Sequence, residues 1–158
     1  MSAVSGFRID ETMRGWHELL EEPGRRRPFV LGCTWGPDRL GEWLDPRGAG
    51  FLWQELAGTV EAEGLTAGPA PARGTLELDY LGARRIRYRV DFPGAGGETL
   101  RFLGDKVDLR PWNLLVSHTT CTGTVSDLAS GRLLSTVLLR FRLRDLPRML
   151  LSLRSGRP

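Results

Sequence analysis

The chain has 158 residues, of which 41% are hydrophobic and 26% are charged, and its formal net charge is +3. This composition is typical of a soluble globular protein, and the length suits a single domain spanning residues 1–158. The basic cluster Arg25-Arg26-Arg27 has no interleaved aromatic residues, so the sequence predicts no nucleic-acid partner. No apolar run approaches the ~20 residues that cross a bilayer, so it also predicts no membrane span.

The first third of the chain predicts two strands and an irregular segment. Residues 6–16 alternate between apolar and polar side chains, which is typical of a half-buried strand, and Glu11 interrupts its apolar face. Residues 17–27 predict a short helical turn or loop, and residues 28–35 a second apolar strand. Proline and glycine break up residues 36–50, where residues 38–44 predict a short strand or one helical turn. The sequence leaves open whether this segment covers the mouth of a barrel.

The rest of the chain predicts six more strands with turns between them. Their bounds are residues 51–65, 72–81, 84–92, 100–107, 112–127 and 132–144. A short amphipathic C-terminal helix follows, with Asp145 as its predicted N-cap. About eight strands at hairpin spacing predict an all-β fold, a sandwich or a barrel, and we favour a closed antiparallel barrel with a short C-terminal helix. The interior of such a barrel is filled by side chains or holds one small ligand.

Motifs along most of the chain resemble, in order, those of a domain in bacterial proteins that also carry GMC-type, cholesterol-oxidase-like flavin domains or α/β-hydrolase domains. Residues 9–15 (Ile-Asp-Glu-Thr-Met-Arg-Gly) resemble its opening F-T-E-x-M-x-G. The later motifs are Gly-Thr-Val at 58–60, Gly-Thr-Leu at 74–76, Arg-Arg-Ile-Arg-Tyr-Arg at 84–89, Phe-Leu-Gly-Asp-Lys at 102–106, Trp112 followed by Thr119-Thr120, and residues 142–150. The chain departs from the pattern at Cys121, where a third threonine is common, and in its short segment 36–50. The resemblance implies a lipocalin-like (calycin-like) barrel that operates on bulky apolar molecules such as sterols or polyketides, and it supplies no catalytic residue set.

Two charged residues stand on apolar strand faces and are the first catalytic candidates. Lys106, the only lysine in the chain, shares its predicted face with Leu100 and Phe102, and Glu11 is the other. Because an isolated charge in a dry core is costly, each needs a partner, and they are candidates to pair with each other. One interpretation is a buried ion pair that fixes strand register. The other is a polar handle in a pocket, with Lys106 polarising a carbonyl or stabilising an enolate and Glu11 as base or orienting group.

His118 is the third catalytic candidate, because histidine exchanges protons near neutral pH; a structural histidine is the alternative interpretation. Aromatic and neighbouring side chains supply the predicted ligand contacts. These candidates are Trp43, Trp53, Tyr88, Phe102, Trp112, Thr120 and Met13.

The sequence contains no phosphate-binding glycine loop, no dinucleotide-binding motif and no metal-binding spacing, so we expect neither a cofactor nor a metal. Cys33 and Cys121 are expected to be free thiols in the cytoplasm of a bacterium. The predicted function is binding of a bulky apolar molecule, polyketide-, terpenoid- or sterol-like, inside the barrel, and its turnover as a cofactor-independent cyclase or isomerase of secondary metabolism. A non-catalytic carrier and an accessory subunit of a separate flavin oxidoreductase are the alternatives. The sequence leaves monomer and homodimer open.

Overall fold

A computed structural model of the chain describes residues 6–79, 82–107 and 120–155, apart from the side chain of Leu143. Nine strands and three short helical elements lie in these ranges. The strands are β1 (Phe7–Leu19), β2 (Arg26–Trp35), β3 (Trp53–Ala62), β4 (Ala70–Asp79), β5 (Arg85–Pro93), β6 (Thr99–Lys106), β7 (Thr120–Asp127), β8 (Leu133–Arg140) and β9 (Arg154–Ser155). The helical elements are α1 (Leu40–Trp43), a 3-10 turn (Leu143–Asp145) and α2 (Leu146–Leu151). No helix in the described ranges is long and apolar enough to span a bilayer.

Strands β1 to β8 form a closed antiparallel barrel. Each strand from β2 to β7 pairs with the next along the chain, and β1 closes the barrel by pairing with both β2 and β8. The pairing of β1 with β8 covers only Arg14 to Leu19, while Phe7 and Arg8 pair with the short strand β9. The predicted all-β barrel with a short C-terminal helix is therefore confirmed, and it is consistent with a lipocalin-like fold.

Side chains fill the half of the lumen that lies farther from Trp35 and Lys106, the last residues of β2 and β6. Most inward residues there have no exposed surface, whereas a void large enough for water would leave accessible surface on its walls. They include Met13, Phe29, Leu31, Val60, Val90, Leu100, Phe102, Val125 and Leu139. This part of the barrel is a packed core of the kind that closely fitted apolar side chains form.

The segment 17–27 differs from its prediction as a helical turn or loop. Strand β1 continues to Leu19 and β2 begins at Arg26, with His17 paired with Arg27. The imidazole of His17 lies fully buried, and the Arg26 guanidinium lies 4.1 Å from the centre of the outward Trp16 ring. These contacts between strands override the local turn preference of Pro23-Gly24, which is confined to the short connection.

The predicted C-terminal helix is present, but Asp145 does not cap it. Asp145 has helical backbone angles, φ −88° and ψ −7°, and its side chain makes no capping hydrogen bond. The 3-10 turn Leu143–Asp145 leads directly into the helix, so Asp145 lacks the extended backbone that an N-cap residue normally has. Leu146 and Met149 pack this helix against the barrel core.

Candidate functional site

A buried ion pair joins opposite walls of the barrel. Lys106 Nζ donates a hydrogen bond of 2.8 Å to Glu11 Oε1, and the two residues are only 4% and 5% exposed. Strands β1 and β6, which carry them, are not neighbours in the sheet, so the pair spans the lumen. The structure thus brings together the two charged residues that interrupt apolar strand faces in the sequence.

Two further donors from other strands complete this polar cluster, which consists of Glu11, Lys106, Tyr88 and Trp35. The Tyr88 hydroxyl donates to the Glu11 carboxylate, at 3.0 Å from Oε1 and 3.2 Å from Oε2. Trp35 Nε1 donates to Oε2 at 3.1 Å. The Glu11 carboxylate therefore accepts from three side chains, a satisfied arrangement for a charge removed from water.

The electrostatics of the cluster favour hydrogen-bond donation over proton abstraction. Burial by itself raises the pKa of Glu11, but the Lys106 charge and the three hydrogen bonds outweigh it and hold that pKa below its usual value. Burial, reinforced by the negative charge of Glu11, raises the pKa of Tyr88 well above its usual value. At neutral pH the cluster therefore contains a weakly basic carboxylate and a neutral phenol, and Lys106 Nζ lies 5.2 Å from the centre of the Tyr88 ring.

Both thiols lie inside the barrel near this cluster. Burial and the Glu11 charge raise the pKa of Cys33, and burial raises the pKa of Cys121 to about 12. Both cysteines are buried and form no disulfide. Since the thiolate is the reactive form, neither side chain is a nucleophile at neutral pH in this environment.

Residual solvent exposure of the inward side chains concentrates at the end of the barrel that carries the cluster. Ile9, Leu78 and Phe141 lie there and retain 7–8% of their surface, whereas among the inward strand residues of the other half only Ala70, at 8%, retains as much. The cluster therefore lies just beneath an accessible end of the barrel.

A groove of about 710 Å³ opens at this end, between the irregular segment 36–52 and strands β2 to β4. We call it the tryptophan groove, because three tryptophans line it together with residues of β3 and β4. Its lining includes six charged residues as well as Trp35, Trp43, Trp53, Gln54, Leu56 and Gly74. Trp35 belongs both to the groove and to the polar cluster, so the groove lies one side chain away from Glu11.

The helical turn α1 holds Trp43 against the barrel end. Trp43 Nε1 donates to Gln54 Oε1 at 2.6 Å, and its ring meets the Phe7 ring edge to face, with the centroids 5.7 Å apart. Leu52 N donates to Trp43 O at 2.9 Å, which ties the two ends of this segment together. One of the two alternatives predicted for residues 36–50, a single helical turn, is the one observed.

The remaining predicted site residues occupy different surroundings. Trp43 and Trp53 line the groove, and Tyr88 belongs to the cluster. Met13 and Phe102 lie in the packed core, and Thr120 is a half-buried residue at the start of β7. His118 and Trp112 lie outside the described residues.

Trp35 and Gln54 belong to the site but are absent from the predicted site residues. The sequence carried a signal for Gln54, because it alternates in phase with Leu56 and Val60 on the inward face of β3. For Trp35 the signal was its position in phase with Leu31 and Cys33 on β2.

In the described part of the chain, no group of three or more His, Cys, Asp or Glu side chains is placed to hold a metal ion. Comparisons with protein-family models, curated proteins and solved structures found no match. The fold and the site therefore define a class, a closed eight-stranded antiparallel barrel with a buried ionic cluster beneath an aromatic groove.

Proposed function

We propose that this protein binds a bulky apolar small molecule, polyketide-, terpenoid- or sterol-like, in the tryptophan groove. The volume and the aromatic lining of the groove support this proposal. Its volume of about 710 Å³ is within the range typical of small-molecule sites, roughly 300–1,000 Å³. Three indole rings supply large rigid apolar surfaces, and the six charged residues of the lining, three of each sign, carry no net charge.

The proposal assigns the ligand to the barrel end because the described core leaves no comparable room. Side chains such as Phe29 and Phe102 have no exposed surface and fill the lumen. In this proposal the polar cluster orients one wall of the groove. Glu11 Oε2 accepts a hydrogen bond from Trp35 Nε1 and thereby fixes the orientation of that indole.

Fluorescence titration with N-phenylnaphthylamine, a neutral apolar dye that brightens in apolar sites, tests the proposal. Trp53 lies in the groove with 43% of its surface exposed, so Trp53→Ala removes a groove wall without opening the core. We expect the variant to bind the dye about tenfold more weakly, since buried tryptophan contacts dominate many binding sites.

Trp16→Ala is the matched control, because Trp16 faces outward beneath Arg26 and does not line the groove. It should bind the dye as the unaltered protein does. No saturable binding to the unaltered protein, or equal weakening in both variants, would overturn the proposal.

The second candidate function is turnover by a cofactor-independent cyclase or isomerase. It is supported by the placement of the Lys106 amine and the neutral Tyr88 phenol around one carboxylate, in a buried cluster. Two such donors stabilise the negative charge of an enolate as it forms, which is the larger part of catalysis of this kind. Since the pKa of Glu11 is lowered, the carboxylate serves better to orient these donors than to abstract a proton.

A β,γ-unsaturated steroid ketone tests turnover, because its isomerisation gives a conjugated product that absorbs in the ultraviolet. If the protein is an isomerase, Lys106→Met and Glu11→Gln each abolish the absorbance change. Full activity in both folded variants would exclude the cluster from catalysis. Recovery of unchanged ketone after long incubation with the unaltered protein would favour the carrier.

The resemblance to a domain that accompanies cholesterol-oxidase-like flavin domains supports a third role, as an accessory subunit of a separate flavin oxidoreductase. The buried free thiols Cys33 and Cys121 support a reducing, cytoplasmic environment. Light scattering of the purified protein distinguishes a monomer from a homodimer.

A further inference from the structure

We propose that the ligand of the tryptophan groove is a neutral, planar, conjugated carbonyl compound whose oxygen accepts a hydrogen bond from Gln54 Nε2. This inference rests on the proposed function and adds to it the chemical class of the ligand.

The orientation of the Gln54 amide supports a ligand that accepts a hydrogen bond. Gln54 lines the groove and is only 3% exposed. The indole nitrogen of Trp43 is a donor and never an acceptor, so the amide atom that it contacts at 2.6 Å is the oxygen, Oε1. This contact fixes the orientation of the amide, which coordinates alone leave ambiguous.

The other end of the same amide lacks a partner. Gln54 Nε2 is buried and has no hydrogen-bond partner among the described residues. A buried donor without an acceptor is unfavourable, and most such groups in folded proteins are satisfied. Gln54 lines the groove, but Nε2 itself has almost no accessible surface, so a shift of this side chain must accompany binding. A ligand seated in the groove then offers the missing acceptor, and a carbonyl oxygen is the simplest one.

The shape of the groove argues for a flat ligand. Trp35 and Trp43 both meet the Phe7 ring edge to face, with centroid distances of 5.9 and 5.7 Å, which holds the two indoles in fixed orientations. Trp53 adds a third indole that is partly exposed. Flat conjugated rings gain most from rigid aromatic walls, because stacked and edge-to-face contacts both need planar partners.

The charges around the groove argue for a neutral ligand. Six charged residues line it: Arg8, Asp38, Arg39, Glu42, Glu55 and Arg73. Arg8 forms an ion pair with Asp38, and Arg39 with Glu42 at 2.8 Å. Glu55 and Arg73 contribute one charge of each sign, so the lining has no net charge and selects neither an anion nor a cation.

Fluorenone and fluorene test this inference, because they share a flat tricyclic frame and differ in the carbonyl group. Calorimetric titration should give about tenfold tighter binding of fluorenone, the difference expected when one buried donor gains its acceptor. In Gln54→Met the ratio of the two affinities should fall to about one, through weaker binding of fluorenone.

Glu61→Gln is the control on the same strand, because Glu61 is exposed and does not line the groove, and it should leave the ratio unchanged. A second measurement needs no variant: the infrared carbonyl band of fluorenone bound to the unaltered protein should move to lower frequency than in an apolar solvent.

The outcomes separate the two proposals. If neither compound binds the unaltered protein, the proposed function fails. If both bind equally, or if the ratio survives in Gln54→Met and the carbonyl band does not move, the ligand class is wrong while the groove remains a binding site.

Discussion

The ion pair between Lys106 and Glu11 makes a quantitative prediction about stability. In Lys106→Met, the Glu11 carboxylate keeps the hydrogen bonds from Tyr88 and Trp35 but loses its opposite charge. Breaking one partner of a buried pair typically costs about 3–5 kcal/mol. For a domain of this size that corresponds to a fall in Tm of about 6–20 °C, a large share of an ordinary stability of about 5–15 kcal/mol.

Urea unfolding followed by tryptophan fluorescence measures the loss, and two further variants establish its origin. Arg101→Met removes an ion pair on the outer face of the same strand, with Asp91 at 2.7 Å, and both side chains are about one third exposed. It should cost less than about 1 kcal/mol. The double variant Glu11→Gln with Lys106→Met carries no buried charge, so we expect it to recover most of the stability lost in Lys106→Met.

The dependence of stability on pH should reverse in sign between the unaltered protein and Lys106→Met. In the unaltered protein the pKa of Glu11 lies below its usual 4.5, so its contribution is complete above that value and is lost as the pH falls through the lowered pKa. Without Lys106, we expect burial to dominate and raise this pKa. The contribution of Glu11 is then present at acid pH and lost as the pH rises.

The buried ion pair does not contribute as described if Lys106→Met lowers the free energy of unfolding no more than Arg101→Met does. A double variant as unstable as Lys106→Met would also contradict it, as would the same pH slope in the unaltered protein and in Lys106→Met.

Three further predictions concern other buried groups. Burial lowers the pKa of His17 below 6.5, so stability should fall as the pH drops below that value, and replacing the side chain in His17→Phe should remove this slope from the urea unfolding free energy. A maleimide should label Cys33 and Cys121 only as fast as the chain unfolds, and rapid labelling of the folded protein would contradict their burial. A Cβ at Gly104 would collide with the Phe102 ring and lie 2.8 Å from Cys121 Sγ, so Gly104→Ala should lower the urea unfolding free energy by about 1–3 kcal/mol. An unchanged unfolding free energy would show that these side chains move to make room for the methyl group.

Alternation of side chains was enough to predict most strands and the face that each one buries. The apolar face of β1, interrupted by Glu11, and the face of β6 that carries Lys106 were both evident from the period of two. The strand ends were less accurate. The local sequence predicts a turn at His17 because its neighbours favour turns. Its actual position in β1 depends on pairing with Arg27 across the hairpin.

The groove could not be predicted in the same way. Its wall is an irregular segment with no periodicity, and its floor comes from β3 and β4. Gln54 alternates with apolar residues, as Glu11 does, but nothing local to the sequence indicates that Trp43 occupies its oxygen and leaves its nitrogen without a partner. That distinction depends on a contact across a turn whose geometry no local rule specifies.

Local periodicity and the cost of burying a charge predict most strands, their buried faces, and the need of two isolated charges for partners. The contact of Glu11 with Lys106 across the lumen, 95 residues apart, and the addition of Tyr88 and Trp35 to their cluster depend on the tertiary structure. The physical reason is closure of the barrel. Which side chains face each other across a lumen depends on the order, tilt and register of all eight strands together.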